Sequence, residues 1–184
     1  MIAGIDIETT GLIAGKHEIV QLAIVIVDKE FNFVEKFISN IKPMREEVID
    51  VEAMDINGLN LYDLNNAPTP LQVRSAFFQW QDEMYSEKKL FLLGHNLSFD
   101  IPFLKLFFGE DNFKSRFDYH TRDTVAVAQY LMDVGKLTHI PLRLTDLCDY
   151  FNIPLKAHTA EGDVLATILL YKALMEVLNE NDNT

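Results

Sequence analysis

The sequence predicts an α/β protein built on a sheet of mixed strand direction. Two observations carry this: β-branched apolar runs dominate roughly the first 40 residues, and strand-like and helix-like stretches then alternate. Residues 2–7 read as a short buried strand ending in the Thr9-Thr10-Gly11 turn. Residues 19–27 are nearly apolar throughout, as an interior strand would be. Asp28, Lys29 and Glu30 form a hairpin connection into residues 31–38, which alternate more clearly, so the chain opens with an antiparallel meander. Residues 46–54 suggest a short helix stopped near Asn57-Gly58, residues 65–70 a loop, and Pro70 the start of an amphipathic helix to about Ser86. Residues 90–93 are a fourth strand. Ser98 is a suitable N-cap for a helix through Phe108, with Pro102 in its first turn. Residues 123–132, 144–151 and 159–178 read as three more helices.

The 184 residues, 48% of them hydrophobic, suffice for one domain spanning residues 1–184, and no linker or repeat divides them. Cys148 is the lone cysteine, which excludes an intramolecular disulfide and suits a reducing compartment. No basic leader precedes Asp6 and no apolar run approaches the ~20 residues of a membrane span. The expectation is a cytoplasmic protein without membrane association. A net charge of -12 argues against a tight passive binder of nucleic acid, which would carry a basic patch. It leaves open an enzyme that recruits cations to its carboxylates.

Asp6 and Glu8 are two residues apart on a strand, so both side chains leave the same face. Two acids at the end of an apolar strand are costly without a cation or solvent. Asp100 falls in the first turn of a helix that follows a strand, the place where open α/β sheets put their sites. Asp163 falls near the first turn of the last helix, with His158 five residues earlier. Each feature alone has an ordinary explanation: solvated strand-end acids, acids that favour a helix dipole, and a surface histidine.

Together they form three ordered motifs: Asp-x-Glu-Thr-Thr-Gly-Leu at residues 6–12, Gly-His-Asn-x-x-Phe-Asp at 94–100 and His-x-x-x-x-Asp at 158–163. In order and separation they resemble the exonuclease motifs of the DnaQ-like DEDDh 3′→5′ exonuclease family. Asp123-Thr124 at the head of a helix adds a fourth match, read mainly as structural. The resemblance implies an RNase H-like fold, a five-stranded mixed sheet flanked by helices, with the fifth strand near residues 117–121. It also implies two divalent cations, Mg²⁺ or Mn²⁺, held by Asp6, Glu8, Asp100 and Asp163. Asp6 would bridge both, Glu8 and Asp163 would complete the one nearer the attacking water, and Asp100 would support the second. His158 would act as general base. An all-oxygen donor set suits these ions, and a pair ~3.5–4 Å apart serves phosphodiester cleavage.

Thr9 resembles the family residue near the terminal 3′ hydroxyl, and Leu12 and Phe99 would flank the last bases; core packing is the alternative for both, and an equal one for Leu12. Ile56 and Asn57 fall in the family's apolar-His-Gly segment, with Asn57 replacing the histidine. That departure touches substrate contacts and not the cation site. The wording of the second motif is closer to the proofreading branch, which favours the 3′ end of single-stranded DNA as partner over RNA and leaves room for a polymerase or replication partner. An RNA-trimming exonuclease is the alternative. A non-catalytic accessory module is disfavoured, since all four acids and the histidine are present.

Overall fold

A computed structural model describes residues 1–85, 88–155 and 159–180. The sheet contains β1 (Ile2–Thr9), β2 (Ile19–Val27), β3 (Phe33–Asn40), β4 (Phe91–Gly94) and β5 (Arg122–Asp123) in the order β3-β2-β1-β4-β5. β1, β2 and β3 pair antiparallel, while β4 runs parallel to β1 and β5 parallel to β4. The mixed five-stranded sheet is therefore the one expected. Helices α1 (Val51–Asn57), α2 (Leu61–Asn65), α3 (Pro70–Tyr85), α4 (Leu97–Phe108), α5 (Glu110–Arg116), α6 (Thr124–Asp133), α7 (Leu144–Tyr150) and α8 (Ala160–Glu180) surround it.

Alternation along β1 sets the layers. Ala3, Ile5 and Ile7 join Val73, Phe77, Phe103 and Phe108 in the core beneath α3 and α4. On the opposite face Ala23, Val25 and Leu93 pack on Val164 and Ile168 of α8. A further cluster joins α6, α7 and α8 through Leu131, Leu147 and Leu170. None of the described helices is long and apolar enough to cross a membrane.

Several boundaries differ from the sequence expectation. β3 starts at Phe33 because the Asp28 carboxylate accepts from the Glu30 and Asn32 N–H groups and Phe31 turns with φ 62°. The expected helix at 46–54 is a 3₁₀ turn (Glu46–Val48) and then α1, for which Asp50 is N-cap and Gly58, at φ 64°, the left-handed C-cap. The fifth strand lies later than expected. Phe117 makes only an isolated bridge to Leu90, Asp118 then closes a turn on the His120 N–H, and pairing resumes at Arg122. The sequence reading did not anticipate α2 or α5, each of seven residues or fewer.

Candidate active site

The even-numbered face of β1 presents Gly4, Asp6 and Glu8 toward α8, opposite the Ala3, Ile5 and Ile7 row. Gly4 lets that helix come close, since a Cβ there would lie 2.7 Å from Ile168 and 2.9 Å from Val164. The start of α8 is fixed from the sheet side as well. Gln21, the register partner of Glu8, accepts the Ala160 N–H through its side chain at 2.8 Å. Asp163, one turn into α8, is thereby brought to the two strand acids. One oxygen each from Asp6, Glu8 and Asp163 lie within 4.8 Å of one another.

Asp100 arrives on α4, and the start of that helix is held by another element. The Asp123 carboxylate accepts the N–H groups of Asn96 at 3.0 Å and Leu97 at 2.8 Å, as well as Val125 at 2.9 Å in its own helix. The Thr124 hydroxyl donates to the Gly94 carbonyl and shares a hydrogen bond with His95 Nδ1 at 2.8 Å. The structural reading of Asp123-Thr124 thus has a concrete form: one side chain caps two helices. Ser98 is not the N-cap. Asn96, at φ 63°, takes that place without a side-chain cap of its own, and Ser98 instead donates to its side chain. With the helix starting at Leu97, Pro102 falls in the second turn, where its ring nitrogen leaves the Ser98 carbonyl without a helical partner.

Burial and mutual repulsion dominate the electrostatics. Asp100 is only 5% exposed. Burial pushes its carboxyl up to about 7, the Asp123 and Glu8 charges push the same way, and backbone N–H groups, including that of Ile7, oppose them. Glu8 is likewise pushed up to about 7, by burial and then by Asp163. Asp6 is held well above the usual range by burial, with Asp100, Glu8 and Asp163 adding to it. Among the described residues Asp6, Glu8 and Asp100 have no ion-pair partner, and the cluster's donors are all oxygen, which fits hard divalent cations.

The four acids open into a cavity of about 590 Å³, also lined by Phe99, His95 and Arg143. Phe99 lines it and also packs on Phe103 at the edge of the core. Thr9, Leu12, Ile56 and Asn57 are not among the lining residues. Thr9 is buried and donates its hydroxyl to the Gly11 carbonyl. Leu12 is 75% exposed and Ile56 57%, which removes core packing as the reason for Leu12. Asn57 is buried and donates to the Thr9 carbonyl at 3.3 Å, tying α1 to the end of β1. His158 lies outside the described residues.

Sequence reading missed His95, whose half-buried imidazole is shifted downward by desolvation, and Arg143 at the head of α7. His95 sits inside the second motif and was visible there. Arg143 carries no motif signal, and only the packing of α7 reveals it.

A family model described as Exonuclease (RNase_T) matches residues 3–171. No curated protein matches at a significant level. Among solved structures, Exonuclease I of E. coli with a dT13 oligonucleotide superposes with a TM-score of 0.80 at 19% identity, covering 99% of this chain and 42% of that one. The zinc-bound form of an E. coli ExoI–ssDNA complex gives 0.79 at 20% identity over 98% of this chain and 41% of that one. A moderately thermophilic Exonuclease I from Methylocaldum szegediense gives 0.78 at 18%, covering 100% and 41%. The chain therefore spans about two fifths of the length of these structures. The likeness establishes the fold, and the RNase H-like arrangement expected from the motifs is the one the chain has.

Proposed function

Since the chain belongs to the exonuclease family, we propose that it is a DEDDh-type 3′→5′ exonuclease that removes nucleoside 5′-monophosphates from single-stranded DNA. The observation that carries this is the convergence of Asp6, Glu8 and Asp163, with buried Asp100 opening into the same cavity. The similar E. coli enzyme, solved with single-stranded DNA and with zinc ion, supports both the substrate class and the cation requirement.

Two divalent cations bound by these acids would supply hydroxide near neutral pH and neutralise the charge on the leaving 3′ oxygen. Asp6, Glu8 and Asp163 converge closely enough to share an ion, while Asp100 reaches the group from α4. Phe99 offers a ring face for a base at the cavity edge. Arg143 lines the same cavity with its Nε and Nη2 paired to Asp146, which leaves Nη1 for a substrate phosphate. His158 is assigned the proton of the attacking water on the strength of its motif. Water adds to phosphorus, the bond to the 3′ oxygen breaks, and a strand one nucleotide shorter is left with a 3′ hydroxyl.

The test is product analysis on 3′-labelled DNA and RNA strands with Mg²⁺, Mn²⁺ or chelator. Monophosphate release from DNA that stops with chelator is expected. Full cleavage in excess chelator overturns the cation role, and preference for RNA moves the substrate. A general base contributes ~10²–10⁴-fold, so His158→Ala should slow single turnover by about that factor and remove the acid limb of the pH–rate profile. Turnover within a few-fold of the unaltered protein would dismiss His158 as the base.

A further inference from the structure

A second cavity, of about 300 Å³, lies behind the β1–β2 loop and is lined by Gly15, His17, Arg45, Arg74, Phe103 and Phe107, among others. It is the size of a small ligand site. In a chain with 28 acids against 16 Lys and Arg, two arginines facing one cavity need a reason. Glu18 also lines it, but one of its oxygens accepts the N–H groups of Met44 and Arg45 and the other pairs with Arg45. Arg74 spends one N–H on the Phe107 carbonyl at the end of α4, and Arg45 one on the Gly15 carbonyl. With its Nε on Glu18, Arg45 keeps Nη2, while Arg74 keeps Nε and Nη2, with no other protein partner among the described residues.

The two cavities share α4. Phe99 and Asp100 line the first, and Phe103, Leu106 and Phe107 line the second. From Phe99 to Phe107 is about 12 Å along the helix axis, or roughly three to four nucleotides at the ~3.4 Å rise of a stacked strand. Apolar side chains stand exposed on the loop tip and on α4: Leu12 and Ile13 are 75% and 58% accessible, and Leu106 is 61%. Gly15 lies close beside Leu106, so loop and helix meet there. The loop is a fixed object, because the His17 ring is buried and its Nδ1 accepts the Ile13 N–H at 2.9 Å.

We infer that this cavity receives a backbone phosphate of the strand several nucleotides upstream of the 3′ end, held by Arg74 and Arg45. Bases cross the Leu12, Ile13 and Leu106 ledge on the way. The inference rests on the proposed exonuclease reading and adds a polarity to it: the strand runs from the acids along α4 toward its C-terminus. It also reconciles strand binding with an acidic protein, since a few placed cations suffice where a broad basic face is lacking.

The experiment compares kcat/KM for a DNA dinucleotide, too short to reach the second cavity, with that for an octanucleotide, in Mg²⁺. For Arg74→Gln and for the Arg45→Gln/Arg74→Gln pair, the ratio of long to short should fall about tenfold, with Arg74→Lys restoring part of it. The slope of log affinity against log salt for the octanucleotide should flatten by ~0.7 for each phosphate that is no longer neutralised. A ratio and salt slope equal to those of the unaltered protein overturn the inference, as does an equal loss on both lengths, which would mark a structural role. If the unaltered protein cleaves neither substrate, the exonuclease reading itself has failed, and octanucleotide anisotropy then decides: a salt slope unmoved by the double substitution overturns this site, a flattened one upholds it.

Discussion

Two regions around the end of β1 are built on opposite principles. The acid cluster is gripped by backbone and close packing: Gly4 admits α8, Gln21 pins its start, and Asp123 pins the start of α4. The Leu12–Ile13 tip and Ile56 instead stand in solvent, braced from below by His17 and Asn57. Groups that must hold charges together need three elements fixed to within an ångström or so. Groups that only offer apolar surface to a flexible strand need no such grip.

The sharpest way to test the contrast is to take a charge out of the gripped region. On the proposed reading, Asp6→Asn and Asp163→Asn would each remove a cation ligand worth several kcal/mol in the transition state, so cleavage should fall by about 10³-fold or more. The cation-free protein should melt no lower, and even higher, because repulsion is relieved. A variant that keeps most of its activity, or unfolds, breaks the proposed division between chemistry and scaffold for that residue.

The same repulsion predicts a pH dependence. Glu8 and Asp100 have carboxyls raised to about 7, so the folded state binds protons that the unfolded chain has already released. Stability is then unpenalised below about pH 4, where both states are protonated, and is lost as pH rises through about 7. Holding a proton ten times more tightly in the folded state corresponds to ~1.4 kcal/mol, so cation-free protein should lose several kcal/mol across that window. Mg²⁺ should flatten the curve by binding the ionised acids. Melting curves from pH 4 to 8 with and without Mg²⁺ check this, and a metal-free curve that rises across the window would show that the acids are not mutually strained.

Asp123→Ala addresses the scaffold without removing any of the four acids. Three backbone N–H groups lose their acceptor, at on the order of 1 kcal/mol each, so about 3 kcal/mol of stability should go. Asp100 then rides on a loosened helix start, and misplacement by an ångström can cost up to about 10²-fold in rate. Asp123→Asn, which retains one acceptor oxygen, should fall between. Chemical denaturation and turnover measured on both variants decide; a change in rate with no change in stability would make Asp123 part of the chemistry instead.

What was legible in the sequence follows the same line. The apolar run of β2 matched residue for residue, and the acids were visible because strand periodicity and helix starts fix where side chains point. The cap of α4 was not, because Asp123 lies 26 residues from Leu97 and a local rule looks only at Ser98. β5 was misplaced because two residues of pairing carry no periodicity to read. Arg143 and the cavity at Arg45 and Arg74 went unseen for the same reason: each is assembled from separate elements.

The smallest expected effect lies in the exposed region. Leu12 is held only through its loop, and its side chain has no core to leave. Leu12→Ala should therefore leave the melting temperature unchanged. If the side chain covers the terminal base, truncation removes roughly 40–50 Å² of apolar contact, about 1 kcal/mol, or roughly fivefold in affinity. That contact is made equally in the ground and transition states, so the loss belongs in KM with kcat preserved. Steady-state kinetics on a short DNA strand separate the two. A fall in kcat at constant KM would mean that Leu12 aligns the scissile phosphate, and the exposed wall would then be part of the catalytic geometry. No effect on either constant would mean that the strand leaves the acids by another route, which would also remove the ledge on which the second cavity depends.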